Sequence, residues 1–153
     1  MPMKLLAFAA VIALGATFAL AQDAPVVDPA IAGMSVDQLV AARQAAMKED
    51  GKLLKESGSA TAERRAEIAT QILQNFTNFP ALFREGSVND QSAALPLIWQ
   101  QWDQFSGLLT KGQGYAADLL AAAKAGDDAA WGATLKNFGG LCGQCHHDYR
   151  KAM

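Results

Sequence analysis

The stretch Cys142-Gly143-Gln144-Cys145-His146 contains both cysteines of the chain and one of its two histidines. On a helix, residues three and four positions apart share a face, so Cys142, Cys145 and His146 would project to the same side. Two thiols there can form thioethers to the vinyl groups of a haem, while the imidazole reaches the iron. The Cys-x-x-Cys-His spacing is the attachment signature of c-type haem. The stretch therefore predicts one covalently attached haem c.

Three other interpretations of this stretch compete with haem attachment. A thioredoxin-like dithiol is expected beside a βαβ pattern, and the sequence contains none. A zinc site needs four ligands at tetrahedral spacing, and His147 would point roughly 100° away from His146 around a helix. A structural disulfide suits an oxidising compartment but leaves His146 without a role. We therefore favour the haem.

The N-terminus predicts export. Lys4 precedes an apolar run from Leu5 to about Ala16, and Ala19-Leu20-Ala21 has the A-x-A pattern of a cleavage site. We expect residues 1–21 to be a removed secretory signal peptide, because the apolar run is too short to span a bilayer comfortably. Covalent haem is attached outside the cytoplasm in bacteria, so the mature protein is expected in the periplasm with no membrane contact. A retained membrane anchor is the alternative.

The length and net charge of the mature chain limit the class of protein to which it can belong. Removing 21 of the 153 residues leaves 132, enough for one domain with one core. Lys4 leaves with the signal, so 12 basic residues face 15 acidic ones and the net charge is about −3. No basic patch is present, so nucleic acid is not an expected partner.

Residues 22–34 hold Pro25, Pro29 and Gly33 with little periodicity, and predict a flexible N-terminal arm. The domain is expected over 35–153. Its first helix, 36–56, opens at a capping box formed by Ser35 and Gln38.

Three further amphipathic helices are predicted. Thr61 caps the second, 62–83, whose last turn Pro80 would kink or shorten. The third runs over 95–125, with Gly112 and Gly114 weakening it locally. The fourth follows a cap at Gly126 and Asp127, and its apolar stripe contains both cysteines. Four such helices with short connections and no strand signal predict an all-α, antiparallel, up-down-up-down four-helix bundle with the haem near one end.

The chain resembles class II cytochrome c, the cytochrome c′ family, including its low-spin, methionine-ligated branch. The most specific similarity is the run 139–150, since most soluble cytochromes c carry the haem motif near the N-terminus instead. The run 41–48, Ile98-Trp99 and Ala125-Gly126-Asp127 add weight. The resemblance covers nearly the whole mature chain. It implies that Cys142 and Cys145 form the thioethers and that His146 is the proximal iron ligand.

The resemblance also implies roles for three polar residues. Arg43 matches an arginine near a haem propionate, and a long cation on an otherwise apolar stripe needs such an anion. Gln44 matches a neighbouring family position whose role the sequence does not reveal. Arg150 matches a basic residue beside the proximal face of the haem. A solvated cation favoured by the helix dipole is the alternative for Arg150.

Met47 matches the family residue that covers the distal face of the haem. In cytochrome c′ proper that residue blocks the face without ligating, so the iron is five-coordinate and takes up small gases. In the low-spin branch a methionine is the sixth ligand, and the run 47–52 resembles that branch. Methionine also fills irregular gaps in cores without ligating anything. We favour ligation by Met47 and keep the distal lid as the alternative.

Two functions follow from this choice. The first is periplasmic electron transfer with His146 and Met47 as iron ligands, to a redox partner that the sequence does not identify. The second is binding of NO or CO at open iron. Neither is enzymatic, because no paired carboxylates, nucleophile–base pair or substrate pocket can be read from the sequence. The family also suggests a homodimer, for which Phe76, Phe79 and Phe83 would serve either as an interface or as monomer core.

Overall fold

The computed structural model describes residues 24–152, so the predicted signal peptide lies outside the described part. The helices follow in chain order, after a short 3-10 helix at Pro29–Gly33: α1 (Val36–Glu56), α2 (Ala62–Leu82), α3 (Leu97–Gln100), α4 (Trp102–Ala125) and α5 (Asp128–Tyr149). Over residues 24–152 there is no strand, only an isolated antiparallel bridge between Ala94 and Arg150. The short helix α3 and the long helix α4 together make up one of the four helical segments of the bundle. The predicted antiparallel four-helix bundle is confirmed. No helix of the described part is long and apolar enough to cross a membrane.

Local capping begins α1, α2 and α5, and ends α4, at the residues that the sequence predicted. Ser35 Oγ accepts from the Gln38 backbone N–H at 3.3 Å, and Gln38 Oε1 accepts from the Ser35 N–H at 2.8 Å. Thr61 Oγ1 accepts from the N–H of the residue three further on. Gly126 ends α4 with a φ of +65°, a conformation that favours glycine, and the Asp127 side chain then caps α5. These contacts satisfy N–H groups that would otherwise lack partners.

The prediction of one continuous third helix over 95–125 is wrong. The chain leaves helical geometry at Gln101, where φ is −122° and ψ is 43°. Gln101 Oε1 accepts a 3.2 Å hydrogen bond from the Tyr149 hydroxyl, a contact with α5 that the local pattern does not reveal. Both Gly112 and Gly114, where weakness was expected, lie inside α4. The helix α2 passes through Pro80 and ends at Leu82, one residue before its predicted end at position 83.

Part of the predicted flexible arm is folded against the bundle. Ile31, in the 3-10 helix, is only 4% exposed. The Asp28 backbone N–H donates to Asn78 Oδ1 of α2 at 2.9 Å. Arg84 Nη2 donates to the Met34 carbonyl at 2.8 Å. A buried apolar side chain and two long-range hydrogen bonds therefore anchor residues 28–34.

Aromatic rings fill the main core. Phe76, Phe79 and Phe83 of the stripe along α2 are all buried. Phe76 contacts Phe138 of α5 with ring centroids 5.1 Å apart, and Phe83 contacts Phe105 of α4 at 4.9 Å. These three rings therefore serve the monomer core, the second of the two uses considered for them. The homodimer stays a prediction without this support.

Replacing Gly112 by alanine should lower the free energy of unfolding by about 1–3 kcal/mol, the usual cost of overpacking a core. A Cβ at Gly112 would lie 2.0 Å from Cε1 of Phe76, itself held among buried rings. The matched control is Gly114→Ala, since a Cβ there meets nothing within 4 Å. That control should gain up to about 1 kcal/mol from helix propensity. Denaturant unfolding of both variants checks this, and equal stability would contradict it.

Candidate functional site

The predicted site residues of α5 and α1 meet at two cavities. The larger has a volume of about 560 Å³ and the smaller about 130 Å³. Met47 of α1 and both Cys145 and His146 of α5 line both of them. Arg43, Gln44 and Arg150 line the larger cavity, and Cys142 lines the smaller. Every site residue predicted from the sequence therefore borders one of two cavities that share three lining side chains.

The two cysteines are free thiols in half-buried positions. Burial raises the pKa of the Cys142 thiol to about 11 and that of the Cys145 thiol to about 11. Both thiols are therefore neutral near pH 7. Residues 24–152 hold no cluster of three or more His, Cys, Asp or Glu side chains that could bind a metal ion. The zinc interpretation consequently has no ligand set in the described part of the chain.

His146 is suited to bind a metal as a neutral imidazole. Burial lowers the pKa of His146, and the charge of Arg150 lowers it further. A neutral imidazole keeps a nitrogen lone pair free for a metal. His147 is instead exposed, and its Nδ1 lies 2.8 Å from the neighbouring Asp148 carboxylate. The two adjacent histidines therefore have different environments, as the sequence predicted.

Arg43 is buried at 3% exposure and makes four hydrogen bonds. Its Nη1 donates to the Leu82 carbonyl at 3.2 Å and to Ser87 Oγ at 2.8 Å, and its Nη2 to the Ser87 carbonyl at 2.7 Å and to Ser92 Oγ at 2.9 Å. The guanidinium also lies 4.7 Å from the Phe83 ring centroid. All four acceptors are neutral. Arg43 thus holds the loop 83–96, a structural task that the sequence did not reveal.

The loop 83–96 forms one wall of the larger cavity through Ala93 and Ala94. Gln44 Nε2 donates to the Gln91 carbonyl at 2.7 Å, which gives Gln44 a role that the sequence left open. At its far end the loop pairs with the segment after α5. The Leu95 N–H donates to the Tyr149 carbonyl at 2.9 Å, and the Lys151 N–H donates to the Ala93 carbonyl at 2.8 Å.

The residues around the cavities fit a haem c. Phe83, Ile98 and Phe105 give the larger cavity an aromatic and aliphatic wall, as an apolar macrocycle requires. Arg150 Nε is buried without a hydrogen-bond partner, and Arg43 contacts only neutral acceptors. Two arginines without an anionic partner in these contacts match the negative charge of haem propionates. Two thiols and one neutral imidazole on the same helix complete the donor set.

Asp50 is a site residue that the sequence analysis missed. It is 5% exposed and lines the smaller cavity. Its Oδ1 accepts from Asn75 Nδ2 at 2.7 Å, whereas its Oδ2 has no partner. Burial raises the pKa of Asp50 from 3.8 to about 7, against the lowering effect of the Asn75 hydrogen bond and with a further rise from Glu49. The available signal was an acidic residue on the apolar stripe of α1.

The raised pKa of Asp50 predicts a pH-dependent stability. The folded protein binds this proton more tightly than the unfolded chain does, so the free energy of unfolding falls as the pH rises from 3.8 towards about 7. Asp50→Asn should remove this loss and be more stable than the parent above that range, by up to roughly 4 kcal/mol. Denaturant unfolding at acidic and alkaline pH measures it. Parallel pH profiles for parent and variant would contradict it.

Known proteins resemble this chain over much of its length. A family model described as Cytochrome C′ matches residues 38–150. A cytochrome c′ of Rhodospirillum rubrum is 33% identical over 149 residues, 97% of this chain and 99% of that protein. A cytochrome c-556 of Agrobacterium tumefaciens is 37% identical over 89 residues, 58% of this chain and 71% of that protein.

Solved structures of cytochromes c′ have the same fold. The cytochrome c prime of Shewanella frigidimarina superposes with a TM-score of 0.71 at 26% identity, over 77% of this chain and 98% of that one. The cytochrome c′ of Thermochromatium tepidum superposes with a TM-score of 0.72 at 21% identity, over 78% of this chain and 99% of that one. The likeness therefore extends over nearly the whole length of both solved proteins.

Proposed function

This chain belongs to the cytochrome c′ family, and from that premise we propose that it is a periplasmic electron carrier with His146 and Met47 as axial ligands. Proteins of the family carry one covalently attached haem c, and that haem supplies reversible one-electron chemistry when bound. One observation carries the proposal. Met47 of α1 and His146 of α5 line the same two cavities, so a thioether and an imidazole border one space from different helices.

The other site residues would bind and orient the haem. Cys142 and Cys145 are the proposed attachment points, and their half-buried positions would keep thioethers formed there away from bulk water. Arg43 and Arg150 are proposed to balance the propionates, because both border the larger cavity and neither has an anionic partner in its contacts described above. Burial of His146 keeps its imidazole neutral and available as a ligand.

Binding of NO or CO is a second candidate function. Met47 is half-buried and borders both cavities, so its flexible side chain has space on two sides. In this case Met47 is a distal lid, and the sixth position is open to a small gas. The two candidates share the attachment residues and His146, and they differ in the role of Met47 alone.

An absorption spectrum of the mature, haem-loaded protein tests the proposal. A sharp, split pair of visible bands on reduction with dithionite indicates six-coordinate, low-spin iron and supports electron transfer. A broad, unsplit band indicates five-coordinate, high-spin iron and supports gas binding. Protein that carries no haem after expression with the attachment machinery would overturn both candidates.

The periplasmic location rests on the predicted signal peptide, residues 1–21. The mass of the protein recovered from a periplasmic extract tests it, with Gln22 as the expected first residue. Recovery of the full-length chain from membranes would favour a retained anchor instead.

A further inference from the structure

Asp50 is a buried carboxyl group with half of its hydrogen-bonding capacity unused. Its side chain has one donor, the neutral amide of Asn75, and its Oδ2 is enclosed without any partner. A carboxylate in this position is costly unless a positive charge lies nearby. The ionic state of Asp50 therefore depends on the charge of whatever fills the space beside it.

That space is the smaller cavity of the haem site. Asp50 lines it together with Met47, Cys142 and His146, and the charge of Asp50 acts on the Cys142 thiol. The remaining wall is largely aliphatic and aromatic, with Leu54 and Phe76 among its side chains. A low-dielectric wall leaves the charge at this site poorly screened.

The groups facing Asp50 hold no compensating cation. On α1, Glu49 adds a second negative charge and shares the Asn75 amide with Asp50. From α2 comes the neutral Asn75, and from α4 only leucines line the cavity. From α5 come thiols and the imidazole of His146, whose pKa burial lowers. No lysine or arginine lines this cavity within the described residues.

We propose that Asp50 is the residue that takes up a proton when the haem site gains an electron, so that electron transfer by this protein is coupled to proton uptake. An oxidised haem carries one more positive charge than a reduced one, and a nearby positive charge favours the carboxylate over the carboxylic acid. Reduction of a bound haem would remove that charge and would leave the Asp50 carboxylate without a nearby cation. Asp50 then binds one proton from solvent, forming an O–H bond, and releases it on reoxidation.

The balance of this step is one electron and one proton. An external one-electron donor supplies the electron, and the solvent supplies the proton to a carboxylate oxygen of Asp50. No other bond of the chain forms or breaks. The proposal rests on the proposed function only in that a redox-active haem is bound, and it holds for either role of Met47.

Redox titration of the haem-loaded protein at a series of pH values tests the coupling. The parent should show a midpoint potential that falls as the pH rises through the neutral range. Asp50→Asn should lose this pH dependence. Glu49→Gln is the matched control. It removes one negative charge from the same helix, at an exposed residue that accepts from the same Asn75 amide. A slope that persists in Asp50→Asn, or is lost equally in Glu49→Gln, overturns the proposal.

Infrared difference spectra give a readout that does not depend on electron-transfer activity. Reduction of the parent should produce the C=O band of a protonated carboxyl group, which Asp50→Asn should lack and Glu49→Gln should keep. If Asp50→Asn does not fold, Asn75→Ala serves instead, since loss of the hydrogen bond that favours the carboxylate should move the pH dependence to higher pH. Absence of a carboxyl band in the parent overturns the proposal. The visible spectrum of the same samples reports the axial ligands separately, so failure of Asp50 and failure of the proposed function are distinguishable.

Discussion

Met47→Ala should convert the reduced protein from a split, low-spin spectrum to a broad, high-spin one and should raise its affinity for CO at least roughly a hundredfold. If Met47 ligates the iron as proposed, its thioether would compete with CO for the same coordination position, and each tenfold change in CO affinity corresponds to about 1.4 kcal/mol. Absorption spectra and CO titration of the ferrous protein measure both effects. A parent-like spectrum in the variant excludes ligation by Met47.

Two further variants separate ligation from simple occlusion. Met47→Leu preserves the apolar bulk but has no sulfur. Its spectrum should therefore match that of Met47→Ala if Met47 ligates, whereas its CO affinity should stay near that of the parent if Met47 is a lid. Met34→Ala is the matched control, because Met34 is another half-buried methionine and lies outside both cavities. That control should keep the parent spectrum. A low-spin spectrum in Met47→Leu would contradict ligation even if Met47→Ala were too unstable to study.

Arg43→Ala should lower the free energy of unfolding by about 3–5 kcal/mol, because each buried acceptor left without its donor costs roughly 1–3 kcal/mol. The variant leaves four acceptors without their donor, two of them the buried hydroxyls of Ser87 and Ser92. It also frees the loop 83–96, whose alanines form a wall of the larger cavity. Denaturant unfolding measures the loss of stability.

Arg84→Ala provides the comparison for Arg43→Ala. Arg84 also donates to two backbone carbonyls, those of Ala32 and Met34, but its hydrogen bonds are solvent-exposed. Its loss should cost less than about 1 kcal/mol. Arg43→Lys should fall in between, because an ammonium keeps the charge but cannot span acceptors as the planar fork does. Equal losses of unfolding free energy in Arg43→Ala and Arg84→Ala would show that burial of Arg43 adds nothing to stability.

Short-range signals account for the parts of the fold that the sequence predicted well. The bounds of α1 follow from the Ser35 capping box and from an apolar stripe, both read within about six turns of chain. The haem motif is likewise local, because three donors within five residues define one helix face. Four such local helix patterns along the chain together predict a four-helix bundle.

Long-range contacts account for what the sequence did not reveal. The break at Gln101 accompanies a hydrogen bond to Tyr149 of α5, 48 positions away. The acceptors of Arg43 lie 39 to 49 positions further along the chain, so no window around Arg43 contains them. Asp50 has a local signal, an acidic residue on an apolar stripe, but its burial depends on α2, and only the packed structure encloses its Oδ2.

The pairing of the loop 83–96 with the segment that follows α5 constrains the order in which the site is assembled. The wall carrying Ala93 and Ala94 can form its hydrogen bonds to Tyr149 and Lys151 only after the chain has been synthesised past the Cys-x-x-Cys-His stretch. The larger cavity is therefore completed by the last residues of the described chain, and a chain shortened to end before Tyr149 would lack both of these hydrogen bonds.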